Sequence, residues 1–397
     1  MLHATRSPGQ SVNTLLQQRL DIGLSIALAL LLGLGLVMVA SASIGLAENN
    51  FNNPFYYLQR QIVFIIIGLA VGWLMYQLPL RLWEYASLWL LLLACLLLTL
   101  VLVPGIGKTV NGATRWIALG PIPLQVSELA KLLVALYLAG YMVRHGQAVR
   151  ERFSGFIKPV LLIGFVALLL LAEPDYGAAV VIMAMSLGML FLGGVRLVQF
   201  LLLLAVTSIG FAVLAITSPY RLQRLTSFLD PFADPYNTGF QLTHSLIAIG
   251  SGSWSGLGLG SSIQKLLYLP EPHNDFLFAI LAEELGLIGV ITVLCLYVYV
   301  ILRGFSIGAA AERAGHFFGA YLAFGLSLWI GLQAFINIGV NMGVLPTKGL
   351  TLPLMSAGGS SMVIMCAVLG LLLRVYRETH GLVATSVRSS KGRGAAL

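Results

Sequence analysis

The sequence has 397 residues, 58% of them hydrophobic and 10% charged, with a formal net charge of +8 and a mean hydropathy of +0.91. A soluble domain carries about 25% charged residues, and apolar runs near the ~20 residues that cross a bilayer recur along this chain. That excludes a soluble globular protein and implies an all-α polytopic membrane protein. The basic residues are scattered through loops and tails, so they read as topology signals and not as a nucleic-acid surface. Cys95, Cys295 and Cys366 lie inside apolar runs, without metal or disulfide spacing.

In chain order, a tail over 1–20 precedes a first span over 22–47. Ala40-Ser41-Ala42 imitates a signal-peptidase site, but the run from Ile22 to Ala40 is too long for a signal peptide, so this span is expected to stay uncleaved. Further spans follow at 61–79, 86–103, 126–144, 158–172, 177–194, 196–217, 275–302, 314–342 and 358–375, which makes ten transmembrane helices. The fifth is the shortest, because Ala-Glu-Pro-Asp-Tyr-Gly at 172–177 divides it from the sixth. Ten spans put both termini on one side. Of the 23 Lys and Arg, 15 fall in the tails and the loops on that side, 7 fall on the other, and Lys131 lies inside a span, so the termini are expected in the cytoplasm. The expected organisation is a cytoplasmic tail (1–20), a transmembrane domain (21–377) and a basic cytoplasmic tail (378–397).

The outer face then holds loops 104–125, 218–274 and 343–357. Segment 218–274, between helices 7 and 8, is unusually apolar for a solvated loop. It reads as a half-buried helix, a Gly/Ser turn and a second short helix lying on or dipping into the bilayer. Irregular backbone at that depth survives only against protein or a water-filled cavity, so a cavity open to the outside is implied.

Two glycine motifs fail on inspection. Gly-Ile-Gly-Lys-Thr at 105–109 ends like a phosphate-binding loop, but Leu102 stands where the pattern needs glycine. Gly-Leu-Gly-Leu-Gly-Ser at 256–261 has Ser261 at the last glycine position of the dinucleotide fingerprint. His244 and His273 have no third ligand at zinc spacing, so no bound metal is expected.

The informative residues are charges inside apolar sequence, which by default mark function and face a cavity or a partner. Glu128 and Lys131 are three apart and adjoin on one helix face; they form either a self-neutralising pair or a cation held near an anionic substrate. Asp275, Ala279, Ala282, Gly286 and Gly289 fall in one stripe of small residues that invites close helix approach. Glu284 lies on the opposite face and Glu283 on the flank, so each needs its own structural partner. Asp275 either caps the helix start or faces the cavity as a general base. Asn337 and Asn341 stand at helical spacing before a Pro- and Gly-rich loop, where Lys348 is either solvated or a phosphate contact.

Five stretches, "KTVNGATRWI", "SELAK", "EPDYGAAVV", "DPYNTGFQLTHSLIAIGSGSWSGLGLGSSIQKLLYLPEPHNDFLFAILAEELG" and "NMGVLPTKGLTLPLMSAGGSSM", cover about 108–362. Together they resemble the SEDS family (shape, elongation, division and sporulation). Ala357, where the rod-elongation branch tends to have tyrosine, favours the cell-division branch; Val126, Ser253 and Ser255 depart from the family's usual residues.

The resemblance implies ten spans with cytoplasmic termini and a peptidoglycan glycosyltransferase that polymerises lipid II, in the inner membrane at the division septum with its active site facing the periplasm. It implies that Asp275 is the catalytic residue. Arg115, Glu128 and Lys131 match the family's charged motifs and, with Lys348 and His273, are the expected substrate-binding residues. The implied partners are a class B penicillin-binding protein transpeptidase and other divisome membrane proteins. Inverting displacement of undecaprenyl pyrophosphate needs one base and cations for the leaving charge, with a divalent ion such as Mg²⁺ as an optional aid. The competing functions are a lipid II flippase, with charges spread through the bundle, and a non-catalytic scaffold that recruits the transpeptidase.

Overall fold

A computed structural model describes residues 20–393, apart from 111–112, 120–121, 218 and 267. Residues 1–19 of the expected tail over 1–20, and the last four residues, lie outside the described residues. Long apolar helices follow one another along the chain: α1 (Ile22–Phe51), α2 (Tyr56–Gln77), α3 (Leu80–Leu102), α4 (Val126–Glu151), α5 (Phe153–Ala172), α6 (Tyr176–Leu192), α7 (Leu197–Ile216), α10 (Leu277–Arg313), α11 (Phe317–Asn341) and α12 (Gly359–Arg393). Two shorter helices, α8 (Pro219–Leu229) and α9 (Phe240–Ser251), lie between α7 and α10. Nine of the described helices are long and apolar enough to cross a bilayer; α6, at the expected sixth span, is a shorter apolar helix of 17 residues. α12 continues past the expected boundary at 378 to Arg393.

The all-α fold class holds, and one loop adds a small sheet to it. Loop 104–125 folds as an antiparallel meander of β1 (Gly107–Val110), β2 (Ala113–Leu119) and β3 (Ile122–Gln125), in the order β1-β2-β3. Lys108 faces Trp116 and Trp116 faces Gln125, with a bulge between Lys108 and Thr109. Ser360 Oγ accepts from Gln125 N (2.9 Å) and donates to Pro123 O (2.7 Å), which stitches β3 to the start of α12.

α4 is the most enclosed span and α11 is largely buried, whereas no residue of α7 is buried. Small residues let elements meet closely, as where Gly72 of α2 lies against the Cys366 carbonyl of α12. The break between α5 and α6 follows from Pro174, which disfavours helix at Glu173, and from Asp175, whose carboxylate accepts from Ala178 N (3.3 Å) and starts α6.

Helix α10 is not continuous. Gly286 adopts φ 64° and ψ −163°, a conformation open to glycine. The expected stripe of close helix contact is therefore interrupted, and the close approach there is to a loop. Leu257 N and Gly258 N donate to the carbonyls of Glu283 and Glu284, while Leu287 N and Ile288 N donate to those of Ser253 and Trp254. Loop backbone thus replaces the lost helical turn. A Cβ on Gly256 would collide with the Glu284 carbonyl.

The two glutamates find different main partners, although Ser262 touches both. Glu284 accepts from Lys265 Nζ (2.7 Å) and Ser41 Oγ (2.7 Å), and Glu283 accepts from Ile263 N (3.0 Å) and Ser262 Oγ. α9 forms where the sequence calls for a half-buried helix, but turns at 263–266 stand in place of the second short helix.

Candidate active site

At the end of the bundle where the meander and the long loops gather, a cavity of about 700 Å³ opens. Its walls come from β2, the start of α4, the turn into α6, α8, α9, segment 271–276, loop 347–351 and the start of α12. Asp275 lines it two residues before the start of the broken helix. The position that caps α10 is Phe276, and no side chain caps it there. The cap alternative for Asp275 is therefore not what the fold uses.

The Asp275 main chain is held tightly. Its carbonyl accepts from Asn337 Nδ2 (2.9 Å) and Asn341 Nδ2 (3.0 Å) of α11, and Asn341 Oδ1 in turn accepts from Ala279 N (3.2 Å). The carboxylate packs against Gly349, where a Cβ would come within 2.9 Å of Oδ2. Burial, then repulsion from Glu271, pushes the Asp275 carboxyl up from 3.8 to about 7, although Arg115 and Arg224 pull it down. The group is hemmed in by protein yet still borders the cavity. A carboxylate poised near neutral pH suits general-base work.

Cations ring the same space. Arg115 on β2 donates to the carbonyls of Pro174 (2.5 Å) and Glu173 (3.5 Å), which anchors it to the α5–α6 turn. Lys348 Nζ lies 4.2 Å from the centre of the Tyr176 ring. Arg224 of α8 donates to Thr347 O (3.2 Å), and Arg60 of α2 lines the wall beside Asn274. Arg60 and Arg224 carry no motif of their own. The available sequence signal was that both are among the few basic residues on the face expected to lie outside.

Glu128 also lines the cavity, but Lys131 does not. Lys131 is fully buried, with Nζ 2.8 Å from Glu128 Oε1, 2.7 Å from Gln333 Oε1 and 5.2 Å from the Trp329 ring centre. Spacing alone predicts the pair; only packing shows that the ammonium turns into the bundle.

His273 is likewise turned aside. It is buried, lies with its ring centre 4.3 Å from that of Tyr57 in a tilted contact, and is held neutral by burial, which lowers it to about 4. It lines a side pocket of about 160 Å³ that shares Arg60, Asn274 and 357–359 with the main cavity. A further residue that sequence reasoning passed over is Glu173. It is fully buried, neither carboxylate oxygen has a hydrogen-bond partner among the described residues, and burial followed by Asp175 pushes it up to about 8. Among the described residues no three His, Cys, Asp or Glu side chains gather to hold a metal ion.

A helical membrane bundle with a polar cavity at one end, a near-neutral carboxylate in its wall and four cations around it is the framework of a membrane-embedded enzyme. The sequence model of the FtsW/RodA/SpoVE family, described as "Cell cycle protein", matches residues 23–381, and the chain belongs to that family. It is 61% identical over 395 residues to the probable peptidoglycan glycosyltransferase FtsW of Thioalkalivibrio sulfidiphilus, covering 99% of each chain. It is 59% identical over 340 residues to the protein of that description from Nitrosococcus halophilus, covering 86% of this chain and 88% of that one. Among solved structures it is similar to the rod shape determining protein RodA of Thermus thermophilus, with TM-score 0.68 and 31% identity over 90% of this chain and 97% of that one. It is also similar to a chain from a structure on the coordination of polymerization and crosslinking by a peptidoglycan synthase complex, with TM-score 0.74 and 32% identity over 91% and 98%.

Proposed function

We propose that this chain is a peptidoglycan glycosyltransferase that polymerises lipid II during septal wall synthesis, with Asp275 as general base. The observation that carries the reading is the placement of the Asp275 carboxylate: uncapped, beside Gly349 and in the wall of a cation-ringed cavity. In the reaction, Asp275 takes the proton of the acceptor sugar hydroxyl as its oxygen bonds to the donor anomeric carbon. The bond from that carbon to the pyrophosphate oxygen breaks, and the electron pair leaves with undecaprenyl pyrophosphate. One base suffices because the leaving group is already a good one, so the paired carboxylates of glycosidases are not required. Arg115, Arg224, Lys348 and Arg60 meet the growing charge. Glu128 closes the cavity floor, and His273 flanks the side pocket as a neutral ring. A divalent ion such as Mg²⁺ would add charge on the pyrophosphate, but no step here depends on one.

The organisation follows from the same reading: ten spans including α6, cytoplasmic termini and tails around a transmembrane domain, and a cavity open to the periplasm. The relatives' names and the synthase-complex neighbour support a class B penicillin-binding protein as partner, with other divisome proteins at the septum of the inner membrane. The test is glycan product formation from lipid II by the purified chain, alone and with its transpeptidase. Polymer in either arm, abolished in Asp275→Asn, supports the reading. Lipid II transport without polymer would make the chain a flippase, and neither activity would make it a scaffold.

A further inference from the structure

Helix α11 carries three amide side chains four residues apart, Gln333, Asn337 and Asn341, on one face. Each is at most 1% exposed. Polar contacts between membrane helices average only about 0.6 kcal/mol in stability, which is weak cause to line a buried helix face with three amides. Their targets are more telling. Gln333 Nε2 donates to Thr351 O (3.0 Å), and Asn337 Nδ2 donates both to Leu350 O (2.6 Å) and to Asp275 O (2.9 Å). Asn341 Nδ2 donates to Asp275 O (3.0 Å) and Asn337 O (2.8 Å). Apart from the link within α11 and a longer contact from Gln333 Nε2 to Thr351 Oγ1 (3.4 Å), every acceptor is a main-chain carbonyl in one of two segments, the one that carries Asp275 and the one that follows Lys348. One amide, that of Asn337, grips both.

The lower end of this row explains Lys131. Gln333 Oε1 accepts from Lys131 Nζ (2.7 Å) and from Trp329 Nε1 (2.8 Å). Two donors on that oxygen fix which way the amide faces, because its NH₂ end can only donate. Nε2 must then point at Thr351. The ammonium of Lys131 is spent on Glu128 and Gln333 and does not reach the cavity.

We infer that Gln333, Asn337 and Asn341 are positioning residues that set the spacing between the Asp275 carboxylate and the Lys348 loop, and that Lys131 acts through Gln333 and not on the substrate. This rests on the reading of Asp275 as the base, and it adds what holds that base opposite its cations.

The decisive variant is Asn337→Leu, which keeps the volume and removes the amide that bridges the segments. In the full chain with its transpeptidase and lipid II, kcat should fall about 10²-fold, the effect of a small misplacement at a reacting centre. KM should stay within about threefold, since binding cations remain. The acid limb of the pH–rate profile should move down as Asp275 loosens toward water and away from Glu271, Arg115, Arg224 and Lys348; a mere loss of folded protein would scale the rate and leave that limb in place.

A second measurement needs no activity. Amide hydrogen exchange over 270–280 and 346–352 should quicken about tenfold in the variant while α4 keeps its parent rate. If the parent itself makes no glycan, the glycosyltransferase reading fails and the exchange experiment still decides the positioning. Should Asn337→Leu not accumulate as folded protein, Gln333→Met is measured instead and is expected to loosen 346–352 and slow kcat. A folded variant with parent exchange rates in both segments, or with kcat within about threefold of the parent and an unmoved acid limb, overturns the inference.

Discussion

Replacing Asp275 by asparagine should abolish polymerisation and at the same time stabilise the protein, by an amount that grows from about pH 4 and is complete above about pH 7. A carboxyl whose folded pKa of about 7 exceeds its ordinary 3.8 binds its proton more tightly in the folded chain. The fold therefore loses stability as pH rises from about 4 to about 7, and it gains or loses nothing below that window. At about 1.36 kcal/mol per pH unit, the interval corresponds to roughly 4 kcal/mol. The cavity gives the carboxylate water on one side, so roughly 2–4 kcal/mol is the penalty to expect at pH 8. Asparagine is neutral throughout and escapes it. The lost proton acceptor lowers the rate on the order of 10²–10⁴. Lipid II polymerisation is followed at pH 8, and thermal unfolding in detergent at pH 4 and pH 8. The variant should unfold several degrees above the parent at pH 8 and together with it at pH 4. Near-parent polymerisation would refute Asp275 as the base, and an unchanged midpoint at pH 8 would refute a carboxylate whose burial outweighs the pull of its cations.

A gentler perturbation leaves the carboxylate in place: in Gly349→Ala the new Cβ would sit 2.9 Å from Oδ2, so Asp275 must shift by several tenths of an ångström. We expect kcat to drop by about tenfold with lipid II binding retained, measured by steady-state kinetics; an unchanged kcat would mean that the carboxylate position is not critical. Lys131→Met strands a buried Glu128 and should destabilise by about 3–5 kcal/mol, while Glu128→Gln in the same chain should restore folding but not the parent kcat, as read by unfolding and polymerisation together. A reporter fused after residue 240 should face the periplasm and one after residue 150 the cytoplasm; the reverse pattern would put the cavity on the wrong side for its substrate.

The sequence showed the helices clearly because each is a long apolar run, and composition alone separates such runs from turns. It also showed where charge was out of place, so Asp275, Glu128 and Lys131 were visible as anomalies before any fold was known. It did not show the meander at 107–125, whose strands are only 4–7 residues long and depend on Ser360, more than 200 residues away, for an anchor. Nor did it show the break at Gly286. A glycine within an apolar run looks like a close helix contact, and the loop backbone that makes a break affordable lies about 30 residues upstream. The direction of the Lys131 side chain was out of reach for a similar reason: spacing gives its neighbour on the helix, Glu128, but not Gln333 on another helix. Arg60 and Arg224 reach the cavity by tertiary packing alone.

The clamp on the base has a lopsided sensitivity to mutation. Its shorter contacts at 275, 350 and 351 are to carbonyls of the main chain, which every amino acid supplies, so substitution at those three positions leaves those grip points in place and removes only the longer one to Thr351 Oγ1. Its donors are side chains that single nucleotide changes can erase. A saturation screen scored for folded protein should therefore find position 275 permissive and positions 333, 337 and 341 restrictive, while the same screen scored for growth should find all four restrictive. The difference between the two maps separates the residue that does the chemistry from those that hold it in place.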